Sequence, residues 1–150
     1  MRKVTDNDRK RRIQAILNDW VPMLALTDWQ ITWELVDTLD GEACGGGQAG
    51  ARILSTGPYT RAHIMFTRSA IDDWATDMEL DTAIIHELCH CLTSALREEI
   101  INCTGDSTPT TRVLLWQIET LCDKLATCFL HTSVGGSIAP TYSPVIREVK

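Results

Sequence analysis

The apolar and polar positions along the chain fall into six periodic segments. Ile13, Ile16, Leu17 and Trp20 recur at helical spacing and predict a first helix from about Asp6 to Leu26. Pro22 should kink or break it, leaving Met23–Leu26 as a last turn. From Trp29 to Val36 apolar and polar residues alternate. That predicts a half-buried strand with Trp29, Ile31, Trp33 and Leu35 on its core face. Gln48–Leu54 and Tyr59–Thr67 read as two further strands, separated by the turn Ser55-Thr56-Gly57-Pro58. In the third strand Ala62, Ile64 and Phe66 face one way, and Tyr59, Arg61, His63 and Met65 the other. The glycines of residues 40–48 mark a loop, expected as a flexible hairpin connection between the first two strands.

Ser69–Glu79 is expected as a polar connection anchored by Trp74, with Asp77 capping the next helix. That helix should run from about Met78 to Leu96. Ile84, Ile85, Leu88, Leu92 and Leu96 form its buried stripe, and Thr82, His86, Glu87 and His90 lie toward the other side. Arg97–Pro109 is expected as a loop, with Gly105 and Pro109 as breakers. Thr110 or Thr111 would then cap a last helix reaching about His131, with Val113, Leu114, Ile118, Leu121, Leu125 and Phe129 on its core face. Together these segments predict one α+β domain over residues 1–131. An N-terminal helix leads into a small three-stranded sheet and two further helices, and residues 132–150 form an extended tail.

Composition narrows the class. A chain of 150 residues that is 44% hydrophobic fits one domain with one core. No run of 18 or more apolar residues occurs, so no membrane span is expected. The N-terminus leads into charge and not into an apolar stretch, so no secretory signal is expected and the cytoplasm is the expected location. The six cysteines then read as reduced and mostly buried, and none forms a C-x-x-C pair of the kind a Cys₄ zinc knuckle uses. The net charge of −6 is uneven, because residues 1–12 hold six basic against two acidic side chains. A basic arm can touch nucleic acid. With no interleaved aromatics, and an excess of acid over the rest of the chain, nucleic acid is not expected as a partner.

The candidate chemistry lies in His86-Glu87-Leu88-Cys89-His90. On a helix, residues i and i+4 share a face one turn apart, so both imidazoles can reach one tetrahedral metal ion. Glu87 sits beside them, able to face water at that ion without being a ligand. A catalytic zinc takes three protein ligands and leaves one position open. Glu119, on the last helix, is the expected third ligand. Asp123, one turn further on the same face, is placed to accept the second N–H of His86 or His90. The rivals for the third ligand are Glu98, Glu99, His131, Cys122 and Cys128.

His86-Glu87-x-x-His90, followed after 28 intervening residues by Glu119-x-x-x-Asp123, resembles the gluzincin branch of zinc metallopeptidases. The order of elements over about residues 26–131 is similar to the small zincin-like proteins of bacteriophages and prophages. That resemblance implies a minimal zincin-like core holding one Zn²⁺ ion through His86, His90 and Glu119. It implies Glu87 as general base, Asp123 as the residue that orients a ligand, and a peptide or protein as substrate. A phage-encoded chain would work inside a bacterial host cell. Such enzymes also use a Tyr or His to steady the tetrahedral intermediate, and Tyr59 and His63 are the candidates, with His131 a third. The expected activity is zinc-dependent hydrolysis of a peptide bond, with an extended substrate added as a strand beside Tyr59–Thr67. The alternative is a catalytically silent zinc-binding module that binds a host or phage protein.

Overall fold

Alternation sorts the sheet into a dry face and a wet face, and the helices are there to cover the dry one. The computed structural model describes residues 4–39, 50–56, 60–74, 76–106, 108–133 and 147–148. In chain order the elements are α1 (Asp6–Met23), β1 (Gln30–Val36), β2 (Ala51–Thr56), β3 (Arg61–Thr67), α2 (Arg68–Asp73), α3 (Asp77–Thr104), α4 (Pro109–Ser133) and β4 (Arg147–Glu148). This is the expected α+β arrangement: an N-terminal helix, a small sheet of three main strands, and two long C-terminal helices. The two-residue β4 adds to the outer edge of β1. Among the described residues no helix is long and apolar enough to cross a membrane.

The sheet order is β2-β3-β1-β4, with β3 parallel to β1 and antiparallel to β2. The expected hairpin between the first two strands is therefore wrong, since β1 and β2 flank β3 and do not pair. The centre goes to the strand with the driest row: Ala62, Ile64 and Phe66 of β3 are all buried. Parallel strands also need a long crossover, which residues 37–60 supply with β2 included. The glycines of residues 40–48 lie outside the described residues.

Ile31 and Trp33 of β1 join the β3 row. Against them pack Ile13, Leu17 and Trp20 of α1 and Leu80, Ile84, Ile85 and Leu88 of α3, in one core. Each such side chain taken fully out of water contributes roughly 1.5–3 kcal/mol. A Thr5–Asp8 capping box starts α1, and the helix ends at Met23, one residue after Pro22. Arg9 donates to both oxygens of Asp72 in α2, at 2.9 and 2.5 Å, so one of the N-terminal basic residues is used inside the fold.

Several element boundaries differ from the sequence expectation. Residues 68–73, expected as plain connection, form α2, because Thr67 accepts from the Ala70 N–H and caps it. Thr76, not Asp77, caps α3, through a capping box with Glu79. The third difference is the length of α3, which continues to Thr104 instead of stopping near Leu96. Ile100 and Ile101 prolong the helical spacing, and the first breaker is Gly105, at φ 78°. The connection to α4 is correspondingly short, and Thr108 starts α4 by accepting from the Thr111 N–H, ahead of the expected Thr110 or Thr111.

The helix faces follow expectation in part: Ile84, Ile85, Leu88 and Ile118 are buried as the periodicity predicts. Leu92, Leu96, Val113 and Leu121 are exposed. The α3–α4 contact uses small residues instead, with Cys89, Thr93, Cys122 and Ala126 all buried. Small side chains let two helix axes approach closely, and the antiparallel return then sets Glu119 opposite His86 and His90.

Candidate metal centre

His86 and His90 leave the α4-facing side of α3, one turn apart. Their Nε2 atoms lie 3.2 Å from each other. Glu119 of α4 brings Oε2 to 3.5 Å from His86 Nε2 and 3.4 Å from His90 Nε2. Three ligands at ordinary Zn–N and Zn–O distances on a tetrahedral ion stand about 3.3–3.4 Å apart. The observed triangle has that size, and these three residues could hold a metal ion. All three side chains are half-buried, so the triangle opens at one side.

The hydrogen-bond chemistry agrees. His86 Nδ1 lies 2.8 Å from Asp123 Oδ1. An ionised carboxylate only accepts, so Nδ1 carries the hydrogen, and a neutral His86 then presents a bare Nε2 to the triangle. His90 Nδ1 lies 3.6 Å from Cys122 Sγ. The triangle is therefore built from atoms that seek positive charge.

Electrostatics point the same way. Burial works against a charged His90, but hydrogen bonds to Cys122 and Glu119 outweigh it and lift its pKa to about 10. Burial also opposes charge on His86. The Glu119 hydrogen bond and the nearby Glu87 and Asp123 outweigh it, and its pKa is raised. The two imidazoles hold the Glu119 carboxyl down at about 2. Where a proton is held this firmly by converging acceptors, a metal cation can take its place.

Glu87 lies on the neighbouring flank of α3, and only 8% of it is exposed. Burial raises its pKa, against the opposing pull of His86, His90 and an N–H bond from Ile53. That bond comes from the edge strand. The Thr67 N–H donates to the Gly50 carbonyl, so by alternation Ala51, Ile53 and Ser55 turn their backbone groups away from β3. Edge strand and helix thus bound a broad groove. Its walls include Ile53, Leu54, Thr82, Trp116, Arg97 and the His86–His90–Glu119 triangle.

The remaining candidates separate cleanly. His63 lies on the wet face of β3 and lines the same groove. Its Nδ1 is 2.9 Å from Thr32 Oγ1 and its Nε2 is 3.1 Å from Glu34 Oε1. Tyr59 lies outside the described residues. Glu98 and Glu99 follow His90 on the same helix, about 12 Å or more along its axis. His131 lies at the far end of α4, about 18 Å beyond Glu119 by helical rise. Cys128 is exposed, and Cys122 lies behind His90 on its Nδ1 side. The expected substrate strand needs correction: β3 is paired on both edges, and among the described residues the unpaired edge beside α3 belongs to β2.

Two contacts escape sequence reasoning, the Ile53 N–H on Glu87 and the Cys122 sulfur on His90. The first is a backbone group and has no residue signature. The second has a faint one, since Cys122 follows Glu119 by three residues on the same helix. Comparison with protein-family models, curated proteins and solved structures gives no match to this chain.

Proposed function

We propose that this protein is a zinc-dependent hydrolase, most simply a metallopeptidase. The observation that carries the reading is the triangle of His86 Nε2, His90 Nε2 and Glu119 Oε2, with Glu87 buried beside it. Two imidazoles and one carboxylate suit zinc, and three protein ligands leave a position for water. When bound, the ion would act as a Lewis acid and lower the pKa of that water toward about 7.

The chain's own residues supply the rest. Glu87 is the proton carrier. Burial raises its pKa, which makes it a stronger proton acceptor than an exposed carboxylate, and the Ile53 N–H holds its carboxyl in place. Asp123 holds His86 by its Nδ1–H. The outward N–H and C=O groups of Ala51 and Ser55 suit an extended peptide laid along β2, which favours peptides over compact substrates. Glu87→Gln should retain stoichiometric zinc and lose turnover on a peptide library. Full turnover in that variant would refute the mechanism.

One observation favours a second reading, a zinc-binding module without turnover that docks another protein. Both ring nitrogens of His63 are engaged, by Thr32 and Glu34, so neither is free to meet an oxyanion. Zinc binding with no cleavage, and partner binding unchanged by Glu87→Gln, would select this reading over the first.

A further inference from the structure

A metal-binding imidazole is steadied by whatever its second nitrogen meets, and the two histidines here meet different chemistry. His86 meets the exposed carboxylate of Asp123. At His90 the partner is a sulfur: Nδ1 lies 3.6 Å from Sγ of Cys122, which is fully buried. A second group touches the same sulfur. Thr93 Oγ1 is 3.6 Å from Cys122 Sγ and 3.1 Å from the Cys89 carbonyl oxygen.

The direction of these contacts follows from counting hydrogens. Thr93 has one O–H, and it donates to the Cys89 carbonyl one turn back. Its oxygen is then an acceptor, and the only hydrogen Cys122 can offer it is the S–H. A sulfur whose proton points at Thr93 turns its lone pairs to His90. His90 Nδ1 must then carry the hydrogen. The opposite ring nitrogen is left bare, facing His86 Nε2 and Glu119 Oε2. Reversed, with S–H donating to Nδ1, a neutral His90 would carry hydrogen on Nε2 and block the triangle.

We propose that Cys122 is a positioning residue of the metal centre. A relay from His90 Nδ1–H to Cys122, from Cys122 S–H to Thr93, and from Thr93 O–H to the Cys89 carbonyl sets the tautomer and ring orientation of His90. The inference rests on the metal-site reading above. It gives Cys122 and Thr93 a role that is neither ligation nor disulfide formation.

The test compares wild type, Cys122→Ala, Cys122→Ser and Thr93→Val in two measurements. One is zinc affinity by chelator competition. The other is the ring Nδ1–H proton signals of the zinc-loaded proteins by NMR. Cys122→Ala should weaken zinc binding about tenfold. It should also speed solvent exchange of the His90 Nδ1–H, leaving the His86 signal as it was. Cys122→Ser, which keeps a polar acceptor, should recover part of the loss. Thr93→Val, of nearly equal volume, should fall between wild type and Cys122→Ala. If the alanine variant does not fold, the serine and valine variants carry the comparison. Wild-type affinity together with an unchanged His90 signal in Cys122→Ala overturns the proposal, and so does a Thr93→Val variant identical to wild type. A wild-type protein that binds no zinc overturns the metal-site reading and this inference together.

Discussion

Asp123 Oδ1 lies 2.8 Å from Nδ1 of His86, one helical turn beyond the carboxylate of Glu119 that faces the same ring's Nε2. One helix thus grips both nitrogens of one imidazole. Asp123→Ala should lower zinc affinity by about tenfold, the low end for such partners, because the Asp123 side chain is 72% exposed and water can replace it. Calorimetric titration checks this. Unchanged affinity would mean that the ring is held by packing alone.

Metal binding should stabilise the fold. Zinc at about a thousand times its Kd should add about 4 kcal/mol to unfolding, and a chelator should remove it. The gain should vanish in Glu119→Ala and in His90→Ala. Thermal melts with and without zinc measure it directly.

The metal-free protein should show a stability optimum on the acid side of neutrality. His90 is raised from 6.5 to about 10, so its contribution is complete below about pH 6.5 and lost as pH rises toward 10. Glu119 is lowered from 4.5 to about 2, so its contribution is complete above about pH 4.5 and lost as pH falls toward 2. The melting temperature should therefore peak between about pH 4.5 and 6.5, with the alkaline decline flattened by zinc. A melting temperature that rises from pH 6.5 to 9 without metal contradicts the ion cluster.

Glu87 has the opposite sign from an ordinary stabilising acid. Its pKa is raised by burial, so its charged form costs stability above the usual carboxylate range. Glu87→Gln keeps an oxygen for the Ile53 N–H and removes that charge. In the absence of metal it should melt higher than wild type at pH 8, with the gap closing near pH 4.

Gly50 sets the start of β2 against α2. A Cβ there would lie 2.8 Å from Ala70 Cβ and 2.9 Å from the Trp74 ring. Gly50→Ala should therefore destabilise by about 1–3 kcal/mol and loosen the groove wall. A chemical denaturation curve reads the first effect, and hydrogen exchange at Ile53 the second.

The helix that carries His86 and His90 was legible in the chain because everything it needs is local. The i, i+4 spacing of His86 and His90 needs only a helix, and the alternation in β1 and β3 marks Ile31, Trp33, Ile64 and Phe66 as core. Glu119 was legible for a related reason. An antiparallel return places one acidic face opposite the histidines, and Asp123 repeats that face one turn on.

The rest depends on contacts between segments far apart in sequence. Alternation tells which side of a strand is dry but not which strand lies beside it. Only the assembled sheet puts β3 between β1 and β2 and, among the described residues, leaves the outer edge of β2 unpaired. Periodicity counted on large aliphatics aimed the α3 and α4 faces at Leu92 and Leu121. The close approach of the helices selects Cys89, Thr93, Cys122 and Ala126 instead, because small side chains let the axes meet. That approach brings the Cys122 sulfur to His90, and the sheet edge brings the Ile53 N–H to Glu87. The sequence by itself determined the i, i+4 spacing of His86 and His90 on one helix, and the fold chose Glu119 from among several rivals to stand opposite them. What each donor's second atom touches was decided only by tertiary packing, because those partners come from other helices and strands.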